Sequence, residues 1–251
     1  LEKALALPGP HAEAYNALGL ILEQAGDHPG AAAALRKALK EKPDLVEARV
    51  NLAISLAALR QFDAALAEID RALAARPASG ESHFRRGRIL ERAGNEAEAA
   101  KSYRAAVRFD PKLADAHYRL GKWLEAASQT ADAIASYQKA VALEPASPTY
   151  GYALARALRK AGRNAEADEG TARVKQLIES QKRKSSAQDA NRAGVFLAGR
   201  GQWEAAAEKF RQAEELDPGL VDAAYNLGGV LRRIGKIDEA MGAFRRAIAI
   251  Q

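Results

Sequence analysis

The side chains best suited to chemistry in this sequence are histidines and arginines that recur in two matching octets. HFRRGRIL begins at His83 and HYRLGKWL begins at His117, 34 residues later. Imidazole can bind a metal or act as a general base, and arginine can hold a carboxylate with two hydrogen bonds. A metal site needs three or four ligands, however, and no carboxylate or third histidine accompanies this pair at equivalent positions.

Other arrangements that could support catalysis are missing from the sequence. There is no cysteine, which excludes disulfides, thiolate nucleophiles and cysteine metal sites. No glycine-rich phosphate loop, ordered Ser, His and Asp set or metal-spaced cluster occurs. His11 and His28 stand alone in predicted turns. We therefore predict a protein that is not an enzyme, with no catalytic residue, no metal and no cofactor.

The two octets belong to a period of 34 residues that runs through most of the chain. The position of a residue within its block is called its place, counted from 1 to 34. The blocks align without gaps from Ala12 and resume after a short insertion at 182–186; they cover 12–45, 46–79, 80–113, 114–147, 148–181, 187–220 and 221–251.

The recurring places predict two helices in each block. Place 8 is small, place 11 is leucine and place 20 is alanine in every block, and place 32 is proline in the regular complete blocks. Apolar residues at places 4, 7, 8 and 11, and again at 20, 24 and 27, form two stripes at helical spacing. Glycine or another turn residue near place 15 ends the first helix, and proline near place 32 ends the second. Each helix pair has apolar faces that only neighbouring blocks can cover.

This pattern resembles the tetratricopeptide repeat (TPR) family over nearly the whole chain. The resemblance implies an all-α fold, a right-handed superhelical solenoid of antiparallel helix pairs without strands. Four parts are predicted, in chain order. The tail of a preceding repeat spans 1–11, and repeats one to five span 12–181. A basic insertion spans 182–186, and repeats six and seven, of which the last is truncated, span 187–251.

The fifth repeat departs from the pattern and is predicted to be degenerate. Thr171 replaces the bulky residue at place 24, and Glu179 replaces the proline at place 32. We expect its second helix to run past its usual end and the regular stacking to be interrupted between Gln181 and Ala187. The insertion at 182–186 forms a short basic patch with Lys175. A solvated linker is favoured there over a nuclear signal or a nucleic-acid contact.

The composition restricts the cellular compartments in which the protein could reside but does not identify one. The longest apolar runs are too short to span a bilayer, so we expect a soluble protein without membrane insertion. The cytoplasm is preferred and the periplasm is left open. The chain starts without methionine and ends within the pattern, and we interpret it as a piece of a longer polypeptide.

The resemblance implies that places 2, 5, 6, 9, 12 and 13 of the first helices line a concave inner surface. In this chain those places carry rings and cations, and the net charge of +6 favours acidic partners. Several of the cations have no acid at helical spacing on their own helix, so we expect an exposed binding track. The candidate peptide-binding residues are Phe84, Arg85, Arg88, Tyr118, Arg119, Lys122, Tyr152, Arg156, Arg159, Arg192 and Tyr225.

The predicted function is a protein-interaction scaffold that binds an extended, acidic peptide or partner segment in this groove. One alternative is the substrate-recruiting arm of a larger enzyme, such as a glycosyl- or sulfotransferase. Another is a nucleic-acid-binding solenoid, but no base-reading pattern of side chains is evident on the helices. The oligomeric state is left open.

Overall fold

All regular secondary structure in the described residues, 11–250 of this computed structural model, is helical. There are thirteen helices in this range and no strand, which confirms the all-α prediction. The helices are α1 (Ala12–Gln24), α2 (His28–Glu41), α3 (Val46–Ala58), α4 (Phe62–Ala75), α5 (Gly80–Arg92), α6 (Glu96–Phe109), α7 (Ala114–Ala126), α8 (Thr130–Leu143), α9 (Pro148–Lys160), α10 (Asn164–Gly199), α11 (Trp203–Leu216), α12 (Val221–Arg233) and α13 (Ile237–Ile250).

The chain forms two compact units, divided between Gly170 and Thr171 within α10. The first unit contains α1 to α9 and the start of α10, and the second contains the remainder of α10 and α11 to α13. Within the first unit, α1, α3, α5, α7 and α9 are the first helices of the predicted blocks, and each packs against the helix that follows it. Of the predicted tail at 1–11, only His11 lies within the described residues.

The residues at places 8 and 24 determine how closely the two helices of a block can pack. A Cβ atom added to Gly121, at place 8, would lie 2.7 Å from the ring of Tyr137 at place 24. The glycines at place 8 in four other blocks would meet their own place-24 side chains in the same way. Where place 8 is Ala53, place 24 carries the smaller Ile69. Small and large residues therefore interlock across the pair, as close packing of a protein interior demands.

A second small residue, at place 20, also allows the helices to pack closely. This alanine is at most 3% exposed in every block: Ala31, Ala65, Ala99, Ala133, Ala167, Ala206 and Ala240. A larger side chain at this place would push neighbouring helices apart.

Each first helix ends at place 13 and is followed, at place 15, by a residue with a left-handed backbone conformation. Glycine, which adopts positive φ without steric cost, occupies this place in five blocks, with φ between 74° and 84°. Arg60 and Ser128 adopt φ of 61° at the same place in the other two blocks. The turn geometry is therefore common to all seven blocks even where glycine is absent.

Helix α10 differs from the predicted pattern because it does not stop where the fifth repeat should end. It runs without interruption through the insertion at 182–186 and through the predicted first helix of repeat six. The run-on of the fifth repeat's second helix is thus observed, and it extends further than the sequence suggests. Glu179, in place of proline, leaves nothing there to end the helix. The repeat boundaries in this region stay a proposal.

The middle of α10 is exposed on every side. All residues at 178–185 are exposed, so no face of the helix is buried along this stretch, although Glu179, Arg183 and Lys184 line a shallow pocket with Leu216 and Pro218. A helix that is polar all round commonly bridges separate structural units. Among the helices of the described range, none combines the length and hydropathy needed to cross a bilayer.

Candidate functional site

The two octet histidines have a structural role in the repeat turns. The Nε2 of His83 lies 2.9 Å from the carbonyl oxygen of Pro77, and that of His117 lies 3.0 Å from the carbonyl of Pro111. Arg49, at the same place in the preceding block, donates to the carbonyl of Pro43 at 2.6 Å. A donor at place 4 therefore satisfies a carbonyl that has no helical partner.

No metal site accompanies the histidines in the described part of the chain. No group of three or more His, Cys, Asp or Glu side chains within 11–250 is arranged to hold a metal ion. In addition, the His83 ring stacks on Phe109 with 5.2 Å between ring centroids.

The predicted groove residues lie on the first-helix face, defined here as places 2, 5, 6, 9, 12 and 13 of the first helices. In the first unit, side-chain contacts join this face from one first helix to the next. The Nδ2 of Asn51 on α3 donates to the Oδ1 of Asn16 on α1 at 3.0 Å. Arg119 on α7 donates to Glu91 on α5 at 2.6 Å. Successive first helices are therefore neighbours along this face.

Glu91 at place 12 binds two side chains from different helices. One carboxylate oxygen accepts from Arg119 and from the hydroxyl of Tyr103, each at 2.6 Å, while Lys122 lies 3.7 Å from the other oxygen. Burial acts to raise the pKa of Glu91, but the hydrogen bond from Tyr103 and the charge of Arg119 outweigh it, and the pKa is lowered. The carboxylate is thus held ionised in a partly buried position.

Glu125 repeats this arrangement one block later. It accepts two hydrogen bonds from Arg156 on α9, at 2.8 and 3.1 Å, and one from the hydroxyl of Tyr137 at 2.9 Å. The Arg156 hydrogen bond is the main cause of a lowered pKa for Glu125. The Glu125 side chain is only 14% exposed, so the pair is shielded on its acidic side.

These contacts change the interpretation of the predicted cationic track. Arg119 has an acid, Asp115, four residues earlier on its own helix, whereas Arg156 has none there and was expected to be free. The acidic partners of Arg119, Lys122 and Arg156 instead lie on the preceding first helix. Arg119 is also less exposed than expected, with 26% of its side chain accessible. The track is therefore largely neutralised from α7 to α9.

The remaining predicted cations outside α5 are paired as well. Arg159 contacts Asp168 at 2.7 Å. Arg192, in the second unit, contacts Asp189 on its own helix. Both arginines are exposed, so these ion pairs are only weakly stabilising.

The predicted aromatic residues separate into buried and exposed groups. Phe84 is 5% exposed and packs against Tyr103 in the core, so its expected position on an open track is wrong. A phenyl ring gains more from burial than from lining a wet surface. Tyr118 is half-buried, 5.1 Å from the ring of Tyr150. Tyr152 and Tyr225 are 42% and 63% exposed and can contact a ligand.

Helix α5 carries two cations of the first-helix face that have no acidic partner in the described structure. Arg85 contacts Glu81 at 2.6 Å, but Arg88 and Arg92 make no ion pair or side-chain hydrogen bond with any residue in the described range. Both are exposed as whole residues. Partial burial of the Arg88 guanidinium group, and then the charges of Arg119 and Arg85, lower the pKa of Arg88.

The reason for this difference is the residue at place 12 of the preceding block. Blocks three and four have Glu91 and Glu125 there, but block two has Ala57. Ala57 and Ile54 form the apolar floor of a small pocket of about 60 Å³ whose rim includes Arg88 and Arg92. Sequence reasoning named Arg88 but missed the roles of Glu91, Glu125 and Ala57 at place 12. Comparing places between consecutive blocks could have revealed them.

The helix pairs, their interlocking places and the continuous first-helix face define a helical-repeat protein of the solenoid class. The chain belongs to the tetratricopeptide repeat family: one family model of that description matches residues 1–46, 50–114 and 192–251, and a second matches residues 115–147. Proteins of this family are typically interaction scaffolds. No curated protein matches this chain.

Solved structures agree with the fold. A MamA RS-1 double mutant is 24% identical over 70% of this chain and 98% of its own, with a TM-score of 0.61. Residues 41 to the end of MamA from Desulfovibrio magneticus RS-1 are 25% identical over 70% of this chain and 99% of their own, with a TM-score of 0.60. At this level of similarity the comparison concerns the fold.

Proposed function

We propose that this protein is a non-enzymatic scaffold that binds an extended, acidic peptide or partner segment on the first-helix face of its first unit. The observation that carries the proposal is the pair Arg88 and Arg92, which have no acidic partner in the described structure and stand beside Ala57. Since Arg119, Lys122, Arg156 and Arg159 already contact acids, the acid-binding position belongs on α5.

The chemistry of the α5 pocket fits a carboxylate on a short aliphatic stem. A guanidinium group can donate two parallel hydrogen bonds to one carboxylate. The apolar floor formed by Ile54 and Ala57 can contact the methylene groups of a glutamate side chain. Partial burial, and then the charges of Arg119 and Arg85, lower the pKa of Arg88, and an anion bound beside Arg88 would offset those charges.

The asparagine pair on α1 and α3 supports an extended ligand. Asn51 and Asn16 use one amide donor and one acceptor on each other, and the other donors and acceptors of their amide groups are available. An extended peptide exposes an N–H and a C=O group at each residue and can use both. The asparagines on α1 and α3 would then bind the backbone of the peptide, and the arginines on the neighbouring helix α5 would bind one of its acidic side chains.

The test is binding of a short fluorescein-labelled peptide of alternating glutamate and glycine, measured by anisotropy. Arg88→Ala together with Arg92→Ala should weaken binding roughly ten- to a hundredfold, because hydrogen bonds to charged groups contribute about 1.5–3 kcal/mol. The matched control is Arg36→Ala with Lys40→Ala, which removes two positive charges from exposed positions on α2. Equal weakening by both double variants would mean that only net charge matters and would contradict the proposal.

A single substitution provides a second test. Ala57→Glu restores at place 12 the acid that Glu125 provides for Arg156, so the new carboxylate should pair with Arg88. Peptide binding should fall while the helical circular dichroism signal is retained. If the peptide binds Ala57→Glu and the parent protein equally, the α5 pocket is not the acid-binding position.

A nucleic-acid ligand would behave differently in the same assay. Its phosphates release many counterions, so its affinity would fall much more steeply with salt than that of a peptide held by two arginines. The substrate-recruiting arm of a larger enzyme would use the same surface, and the binding test applies to it unchanged.

A further inference from the structure

The second unit contains a pocket with a volume of about 550 Å³. It opens between the end of α10 and helices α11 to α13. Its lining is mainly apolar and includes Val195, Tyr225, Phe244 and Ile248. Tyr225 and Ile248 are 63% and 73% exposed. Exposed apolar surface of this kind, gathered in a concavity, is typical of a binding site.

Two polar groups stand at the edge of this pocket. Arg232 makes no ion pair or hydrogen bond with any residue of the described range, although it lies among apolar side chains. Asn226 donates to Asn191 at 3.1 Å, which leaves its side-chain oxygen available to a ligand. The pocket therefore combines apolar walls with a single unpartnered cation and an amide.

Gly229 makes the pocket deep enough for a large side chain. It lies in the lining, and a Cβ atom added to it would meet no atom within 4 Å. The adjacent Gly228 differs, because a Cβ there would lie 2.7 Å from the Phe244 ring. The space above Gly229 is thus free volume of the pocket, whereas Gly228 is required for helix packing.

We propose that this pocket binds a bulky apolar side chain of a partner peptide, with an adjacent acidic residue of that peptide held by Arg232. The volume and the aromatic and aliphatic lining fit one large side chain and its backbone. The unpaired, exposed guanidinium group selects the charge of the neighbouring residue, since it can donate two parallel hydrogen bonds to a carboxylate. Asn226 can bind the peptide backbone between the two side chains.

This site is additional to the acid-binding position on α5 and does not depend on it. The main contact here is with an apolar side chain and the charge is secondary, whereas in the α5 pocket the main contact is with the carboxylate. A partner segment therefore needs a bulky apolar residue beside an acid to occupy it.

The probe for the experiment is a short synthetic peptide with one phenylalanine followed by two glutamates in a glycine and serine background. Trp203 lines the pocket, and the chain has only 2 tryptophans, so Trp123→Phe leaves Trp203 as the sole fluorescence reporter. Titration of this variant should change the Trp203 emission in a saturable way.

Substitutions in protein and peptide assign the contacts. Gly229→Phe fills the pocket and should abolish the fluorescence change, whereas Gly199→Phe, at an exposed helical glycine with open space around it, should leave it intact. Replacing the peptide phenylalanine with alanine should weaken binding roughly tenfold or more. Arg232→Gln should weaken the glutamate peptide but not its glutamine counterpart.

Three results would overturn the proposal. One is the absence of a saturable signal up to millimolar peptide. Another is equal binding to the Gly229→Phe variant. The third is self-association in sedimentation that Gly229→Phe abolishes without any peptide binding, since a second copy of the chain would then be the occupant. Loss of the α5 arginines should not affect this titration, so the two proposals can fail separately.

Discussion

At the scale of single residues, the glutamates at place 12 determine which arginines are available. Glu91 and Glu125 each hold a cation of the following first helix and the tyrosine hydroxyl of their own block. A charge-assisted hydrogen bond in a partly buried site is stronger than a pair in open water. These contacts therefore connect neighbouring repeats, while Arg88 remains available for a ligand.

The lowered pKa of Glu125 leads to a prediction about acid stability. A carboxyl group whose pKa is lower in the folded protein stabilises the fold above its unfolded value of about 4.3, and this contribution disappears as the pH falls through the folded value. Glu125→Gln should lower the free energy of unfolding by about 1–3 kcal/mol at neutral pH. The difference from the parent protein should shrink in acid, as measured by urea denaturation.

The control for this prediction is Glu144→Gln, because Glu144 is exposed and its side chain makes no hydrogen bond in the described structure. A deficit in Glu125→Gln that is the same at every pH would contradict the proposed ion pair.

At the scale of helices, the interlocking of places 8, 20 and 24 determines how the pairs pack. This part of the fold could be predicted from the sequence, because places 8 and 20 are always small, place 24 is bulky in six of seven blocks, and each place has a fixed position on its helix. The Gly121 and Tyr137 contact is one example. The partners of Arg119 and Arg156 could not be found by inspecting a single helix, since their acids lie about one block earlier in the chain.

Ala133 provides a direct test of this packing. It is fully buried at place 20 of α8, so Ala133→Leu should overpack the helix contact and lower stability by roughly 1–3 kcal/mol. Ala135→Leu, at an exposed position of the same helix, should have little effect. The measurement is the midpoint of chemical denaturation, and equal midpoints for the two variants would refute the assignment of place 20.

At the scale of the whole molecule, α10 is the principal departure from regular repeats. The missing proline at place 32 indicated a longer helix, but its full length could not be predicted, because it requires residues 182–186 to remain helical without covering contacts. Helix stability in proteins comes mainly from tertiary packing. The exposed stretch at 178–185 therefore relies on its own backbone hydrogen bonds.

We expect limited digestion with trypsin to begin in this stretch. Local opening of a helix without tertiary contacts is easier than opening of a packed helix. The first cuts should follow Lys182, Arg183 or Lys184 and release two fragments that mass spectrometry can identify. Lys139, exposed on the packed helix α8, should be cut later. Early cleavage at Lys139 together with resistance at 182–184 would contradict this prediction. It would show that the exposed stretch of α10 is stabilised by contacts despite its solvent exposure.

The choice between glutamate and alanine at place 12 has a consequence for how such a chain can diverge. Glutamate closes the neighbouring cationic pocket, and Ala57 leaves it open. Exchanging the two residues between blocks would move the open position along the chain by whole repeats, with little change to helix packing. A few substitutions at this one place could therefore give paralogous proteins with one architecture and differently spaced acid-binding positions.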